Sequence, residues 1–142
     1  MIYKIFADTN IVIDHLTKRQ PFNKESTKLF ILNEQEQLKI HVSALCINTV
    51  YYITRKLIGH KNALDFIDKL TEDVEVLGTT KSEIRAALES DFTDFEDGIQ
   101  YATAISFGGI DFMVTRNVSD FKESKIAVHT PTSFLKKFKF EI

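Results

Sequence analysis

Short apolar runs rich in β formers alternate along this chain with longer stretches of helical period, and that alternation admits few folds. The apolar runs are residues 1–7, 38–42, 74–77, 111–114 and 126–129. A helix follows Asn10, which reads as its cap, and another spans residues 25–37. Ser43 caps a third over residues 44–58, with Gly59 as its stop. A fourth covers residues 60–71. Thr80 or Ser82 opens a fifth through Leu88. A sixth starts near Asp94 and ends at Gly108-Gly109. Thr130 caps the last, with Pro131 in its first turn. Strands alternating with helices predict an α/β domain with a mainly parallel central sheet flanked by helices. The 142 residues suit a single domain over 1–142, and a hydrophobic share of 44% is enough to give it a core.

Right-handed crossovers carry the C-terminal ends of parallel strands to one edge, where sheets of this kind place their sites. Asp8 stands at that end of the first strand and is followed by Thr9 and Asn10. Thr115, Arg116, Asn117 and Asp120 stand in the loop after the strand at 111–114. The stretch Asp91-Phe-Thr-Asp94-Phe-Glu96-Asp97 leads back to the same edge. Thr93 with Glu96 fits a capping box, so a helix should begin at Asp94, with Asp94 and Asp97 on one face of its first turn. Taken alone, this is also how a well-capped surface helix begins. A packed set of acids, however, repels itself unless a cation neutralises it. Asp8, Asp94, Asp97 and Asp120 together offer hard oxygen ligands and no soft ones, which implies Mg²⁺ or Mn²⁺.

The formal net charge of −2 gives no global basic field. Nucleic acid would have to be met by local cations or by metal-bridged phosphate. Lys18 and Arg19 lie in a polar loop that could meet phosphate or simply be solvated. Tyr51, Tyr52, Arg55 and Lys56 share the third helix, either as a stacking and phosphate-binding patch or as packing tyrosines beside a solvated face. Lys136, Lys137 and Lys139 read as a solvated end. The lone Cys46 excludes an internal disulfide and reads as core, and His60 has no neighbouring His or Cys with which to hold a metal. No signal peptide and no run of membrane-spanning length is evident, which fits a reduced cytoplasmic compartment.

The ordered set Asp8-Thr9-Asn10, Arg19-x-Pro21-Phe22, Val42-Ser43-Ala44, Phe95-Glu96-Asp97-Gly-Ile-Gln-Tyr101-Ala, Val114-Thr115-Arg116-Asn117 and Asp120-Phe121 resembles the PIN domain, the nuclease fold of the VapC-type toxins. The resemblance covers nearly the whole chain. It implies a metal-dependent ribonuclease, often paired with an antitoxin and often a homodimer. Asp8 matches the family's first acid and Asp97 its helix-start acid, while Asp94 and Asp120 fall on flanking acidic positions. Two positions depart from the pattern. Asn48 stands where the family usually has Glu one turn into the third helix, and Asn117 where a fourth acid is common. An amide can orient a water but supplies no charge.

The leading reading is therefore hydrolysis of RNA phosphodiesters, with Mg²⁺ or Mn²⁺ held by Asp8 and Asp97. Asp94, Asp120, Asn48 and Asn117 would hold metal-bound waters or a second, weaker ion, and Thr9 and Thr115 would orient carboxylates. Arg19, Arg55, Lys56 and Arg116 are the candidate RNA contacts. A second reading, favoured by Asn48 and Asn117, is a PIN-like module that binds RNA or an antitoxin and cuts poorly. A third is a Mg²⁺-dependent phosphotransferase with Asp8 as nucleophile. The further acids and the lysine that such enzymes use are not in place here.

Overall fold

The computed structural model describes residues 2–140. Five strands, β1 (Tyr3–Ala7), β2 (Leu38–Ser43), β3 (Glu75–Leu77), β4 (Phe112–Val114) and β5 (Ala127–His129), form one sheet in the order β3-β2-β1-β4-β5. Every pairing is parallel, so every connection has to cross over the sheet. Among the described residues six helices lie in those crossovers, α1 (Thr9–Thr17), α2 (Asn23–Glu34), α3 (Ala44–Ile58), α4 (His60–Asp73), α5 (Lys81–Glu89) and α6 (Phe95–Phe107), and a seventh, α7 (Pro131–Phe138), follows β5. The strand order reverses at β1, which runs through the centre with β2 on one side and β4 on the other.

The pleat of β1 shows how both faces are filled. Ile5 and Ala7 join a large core with Leu29, Leu32, Val50 and Phe134, on the side covered by α1, α2, α3, α4 and α7. Phe6, between them, points to the other face and packs with Ala104 of α6, Met113 and Phe121. All of these side chains are buried. A strand apolar on both faces cannot lie at an edge, and this fixes β1, with Asp8 at its end, in the middle of the sheet.

Three helix starts agree with the sequence, and at one of them the structure decides for Thr80 over Ser82. The Ser43 side chain accepts from Cys46 N–H, Thr80 makes a full capping box with Glu83, and Thr130 caps α7. Two caps differ. Asn10 lies inside α1 and does not cap it. The cap is Asp8, whose carboxylate accepts from Thr9 N–H. The helix read as a Thr93–Glu96 capping box is capped one residue later by Asp94, which accepts from Asp97 N–H, and begins at Phe95. Helix α2 is also displaced, spanning Asn23–Glu34 instead of residues 25–37. The loop after β4 contains a short 3-10 turn, Val118–Phe121, which the sequence did not suggest. Two of the acids expected at the edge, Asp8 and Asp94, are therefore helix caps, and capping fixes their backbone positions before any ligand is considered.

Candidate active site

Asp8 ends β1 at the point where the strand order reverses, and its side chain is almost wholly buried. One oxygen accepts from Thr9 N–H at 2.8 Å and the other from the Thr115 hydroxyl at 2.9 Å. The Thr115 oxygen in turn accepts from Asn117 N–H at 3.1 Å, so its proton has one direction left, toward Asp8. Thr9 is held by Gln100, whose side-chain amide donates to the Thr9 hydroxyl at 3.2 Å. Gln100 sits on α6 one turn after Asp97 and is buried. The strand end, the α1 start, the β4 loop and the first turns of α6 are thereby tied together through polar side chains.

Burial raises the Asp8 pKa above its ordinary value, opposed by the hydrogen bonds from Thr115 and Thr9. The charge of Asp120 raises it further and that of Arg116 lowers it. Asp97 is pushed up to about 7, first by burial and then by the charges of Asp8, Asp94, Asp120 and Glu96. Glu96 is raised as well, by burial and by Asp8 and Asp94. The four acids expected at this edge therefore share one electrostatic field, with Asp8 and Asp97 on the same end of the sheet. Glu96 is a fifth member, which sequence reasoning placed in the acid-rich stretch and the capping box but not among the site residues. Among the described residues, no cation offsets these charges at Asp97. An uncompensated set of hard oxygens fits a divalent cation. Among the described residues, no group of three or more His, Cys, Asp or Glu side chains is gathered as it would be to hold a metal ion. The arrangement therefore fits an ion carried by one or two carboxylates with water and phosphate, and not an all-protein cage.

The remaining predicted residues divide. Cys46, in the first turn of α3, is buried beside Thr9, and its thiol is pushed up to about 12, mainly by burial and further by Asp8 and Glu96. The start of α3 thus borders the acids. Asn48, two residues on, is exposed, as are Asn117 and Asp120. Arg55 and Lys56 are exposed in the last turn of α3, some eleven residues and about 17 Å from the edge at which the helix starts. The structure does not bring them to the acids. Tyr51 lies next to Tyr52 and shares a 2.8 Å hydrogen bond with His60, which accounts for both without a metal.

Arg19 and Arg116 meet a partner that sequence reasoning missed. Asp14, fully buried on α1, approaches Arg116 Nε at 2.9 Å and Arg19 Nε at 3.8 Å. The contact with Arg116 is an ion pair without an aligned hydrogen bond, since neither Asp14 oxygen nor Arg116 Nε has a hydrogen-bond partner. Burial raises the Asp14 pKa, and the two arginines lower it. The only signal in the sequence is an acid set among Ile11, Val12, Ile13 and Leu16, on a helix face that has to go inward. Gln100 carries the same signal, a polar residue between Ile99 and Ala102.

A parallel crossover sheet with acids converging where its strand order reverses defines an α/β class that places its ligands at that edge. Within that class the chain belongs to the PIN domain family, whose profile matches residues 4–119. No curated protein matches it. Solved structures with the same fold include a toxin–antitoxin complex from Klebsiella pneumoniae, 20% identical with a TM-score of 0.66 over 89% of this chain and 97% of that one. VapBC-1 from nontypeable Haemophilus influenzae is 18% identical, with a TM-score of 0.65 over 91% and 98%. VapC20 from Mycobacterium tuberculosis, a toxin that cleaves the sarcin-ricin loop, is 16% identical, with a TM-score of 0.58 over 77% and 86%.

Proposed function

We propose that this protein is a divalent-metal-dependent endoribonuclease, the toxin of a toxin–antitoxin pair. The observation that carries the reading is the shared field of Asp8, Asp94, Asp97 and Asp120, which adds to burial in pushing Asp97 up to about 7. Membership of the PIN family supports it, and the similar folds of toxin–antitoxin complexes are consistent with an antitoxin partner.

Asp8 and Asp97 would hold the Mg²⁺ or Mn²⁺ ion. When bound, such an ion polarises a phosphate oxygen and lowers the pKa of an attacking water. Thr115 and Thr9 fix both oxygens of Asp8, so that carboxylate is oriented before any ligand arrives. Asp94 and Asp120 would accept from metal-bound water, and Asn48 and Asn117 would supply neutral polar groups beside them. Arg116, whose charge reaches Asp8, favours the approach of an anion to an otherwise acidic edge. A homodimer belongs to the same proposal. Exposed Tyr52, Leu57 and Leu64 on α3 and α4 leave apolar surface for a second copy, and light scattering reads the mass.

The direct test is cleavage of a mixed RNA pool by purified protein with Mg²⁺ or Mn²⁺, with Asp8→Asn as control. Metal-dependent cuts in wild type alone are the expected result; equal cutting by both proteins contradicts the reading. A weakly cutting RNA- or antitoxin-binding module is the second reading, favoured by the exposed Asn48 and by the lack of a gathered three-carboxylate group among the described residues. A phosphotransferase using Asp8 as nucleophile is disfavoured, because the further acids and the lysine that such enzymes use are not in place in the sequence.

A further inference from the structure

Between the starts of α2 and α7 lies a cavity of about 470 Å³, with Pro21, Phe22, Glu25, Ser26, Arg116 and Pro131 in its walls. Arg116 follows Thr115, the residue that holds Asp8, so the cavity adjoins the acid edge along one short loop. The guanidinium lies 4.1 Å over the Phe22 ring, with its Nε against Asp14. Among the described residues, no hydrogen bond takes up its terminal nitrogens. The Ser26 hydroxyl is buried in the same wall with no partner. Glu25 also lines the cavity, 3.7 Å from Lys28. A second cavity of about 390 Å³ shares Glu25 and Thr132 with the first and adds Lys28 and Lys136.

We propose that the first cavity binds an unpaired guanine of the RNA strand, a few nucleotides at most from the phosphate at Asp8 and Asp97; this rests on the ribonuclease reading above. Single-stranded RNA is recognised by seating splayed bases on aromatic or guanidinium planes and bonding their edges. Phe22, Pro21 and Pro131 supply the apolar walls. The size suits a nucleoside. Arg116 donates, which matches the adjacent acceptors O6 and N7 of guanine. Glu25 accepts, which matches its N1–H and exocyclic amino group. Adenine offers Arg116 one acceptor beside a donor, and neither pyrimidine presents paired acceptors next to paired donors. Lys28 and Lys136 then line the path of the following phosphates, a role that Lys136 did not have when read as a solvated end.

The experiment titrates GMP, AMP, CMP and UMP separately into metal-free wild-type protein and follows the backbone amide resonances of Phe22, Ser26 and Arg116. GMP is expected to shift them saturably and at least about tenfold more tightly than the other three. Glu25→Gln is expected to remove that preference, and Phe22→Ala to weaken binding of GMP. No saturable shift with any nucleotide, equal shifts with all four, or an unchanged preference in Glu25→Gln overturns the proposal. Mapping the 5′ ends of cleaved RNA separates it from the reading it rests on. GMP binding without any cleavage contradicts the nuclease alone. Cleavage with no guanine at a fixed distance from the cut contradicts the guanine pocket alone.

Discussion

Asp8 and Asp14 lie six positions apart, both are buried, and burial is the first cause of a raised pKa in each. Their surroundings differ in the sign of the company. Asp14 faces two guanidinium groups and no other acid, so its charge is met within the chain. Asp8 faces two neutral donors and a group of carboxylates, and these in turn lift Asp97. A buried acid that the fold neutralises is part of the fold. A set of acids that the fold crowds together and leaves unpaired destabilises it, and such a set persists where a ligand supplies the missing positive charge. The same contrast sorts the arginines: Arg116 bridges the two regions, held by Asp14 while its charge is felt at Asp8.

The sharpest way to break this contrast is to neutralise one acid in each region and compare signs. Asp97→Asn is expected to lower RNA cleavage by more than roughly a hundredfold, beyond the usual cost of losing an outer-sphere partner of a metal. The same change should raise the melting temperature of the metal-free protein, since it removes a like charge. A variant that cuts normally, or that melts earlier without metal, would remove Asp97 from the site. Asp14→Asn should do the reverse. It leaves the largely buried Arg116 without its counter-charge, at a cost of about 3 kcal/mol in urea unfolding, with Arg19 free to turn to solvent. Undiminished stability in Asp14→Asn would erase the distinction between the two carboxylates.

A milder test varies pH. The folded-state pKa of Asp97 is raised to about 7 from the ordinary 3.8, so between those values the folded chain keeps a proton that the unfolded chain has lost. Stability of the metal-free protein should therefore fall as pH rises from about 4 to 7 and level off above that range. A divalent ion competes with that proton. Saturating Mn²⁺ is expected to raise the melting temperature by about 5 °C at pH 8 and by less at pH 5, with little effect on Asp97→Asn at either pH. An equal shift at both pH values would mean that the ion binds elsewhere.

How much of this was legible in the sequence follows from the range of the interactions. The sheet and Asp8 were legible because strand runs, caps and crossovers are local rules, and together they send strand ends to one edge. The start of α6 was misplaced by one residue because Thr93 and Asp94 both satisfy the rule for a cap. Asp94 holds the role through its bond to Asp97 N–H. Gly98 then lets the end of α5 and the turn at Phe92 close on the new helix, since a Cβ there would meet Ala87 at 3.3 Å and Phe92 at 3.4 Å. The Asp14–Arg116 pair and the Gln100–Thr9 bond were not legible. Each joins residues far apart in the chain, and a lone polar residue on an apolar face does not announce its partner.

The smallest expected effect concerns Asn48, which lies next to the unpaired region without adding to its charge. It is exposed on the early part of α3, two residues beyond Cys46, whose thiol feels Asp8 and Glu96. A carboxylate at position 48 would thus stand near the acids and near the positive end of a helix dipole. Asp8 and Asp97 bring two negative charges to a divalent ion, which suffices when water and substrate phosphate complete its shell. Asn48→Glu should therefore strengthen Mn²⁺ binding only several-fold by calorimetry, and speed cleavage most where metal is scarce. A sixth acid also adds repulsion, so the metal-free variant should melt slightly below wild type and regain the difference when Mn²⁺ is added. If metal binds no tighter and the metal-free melting point is unchanged, position 48 lies outside the field of Asp8. Asn48 would then give no support to the reading of this chain as a weakened enzyme.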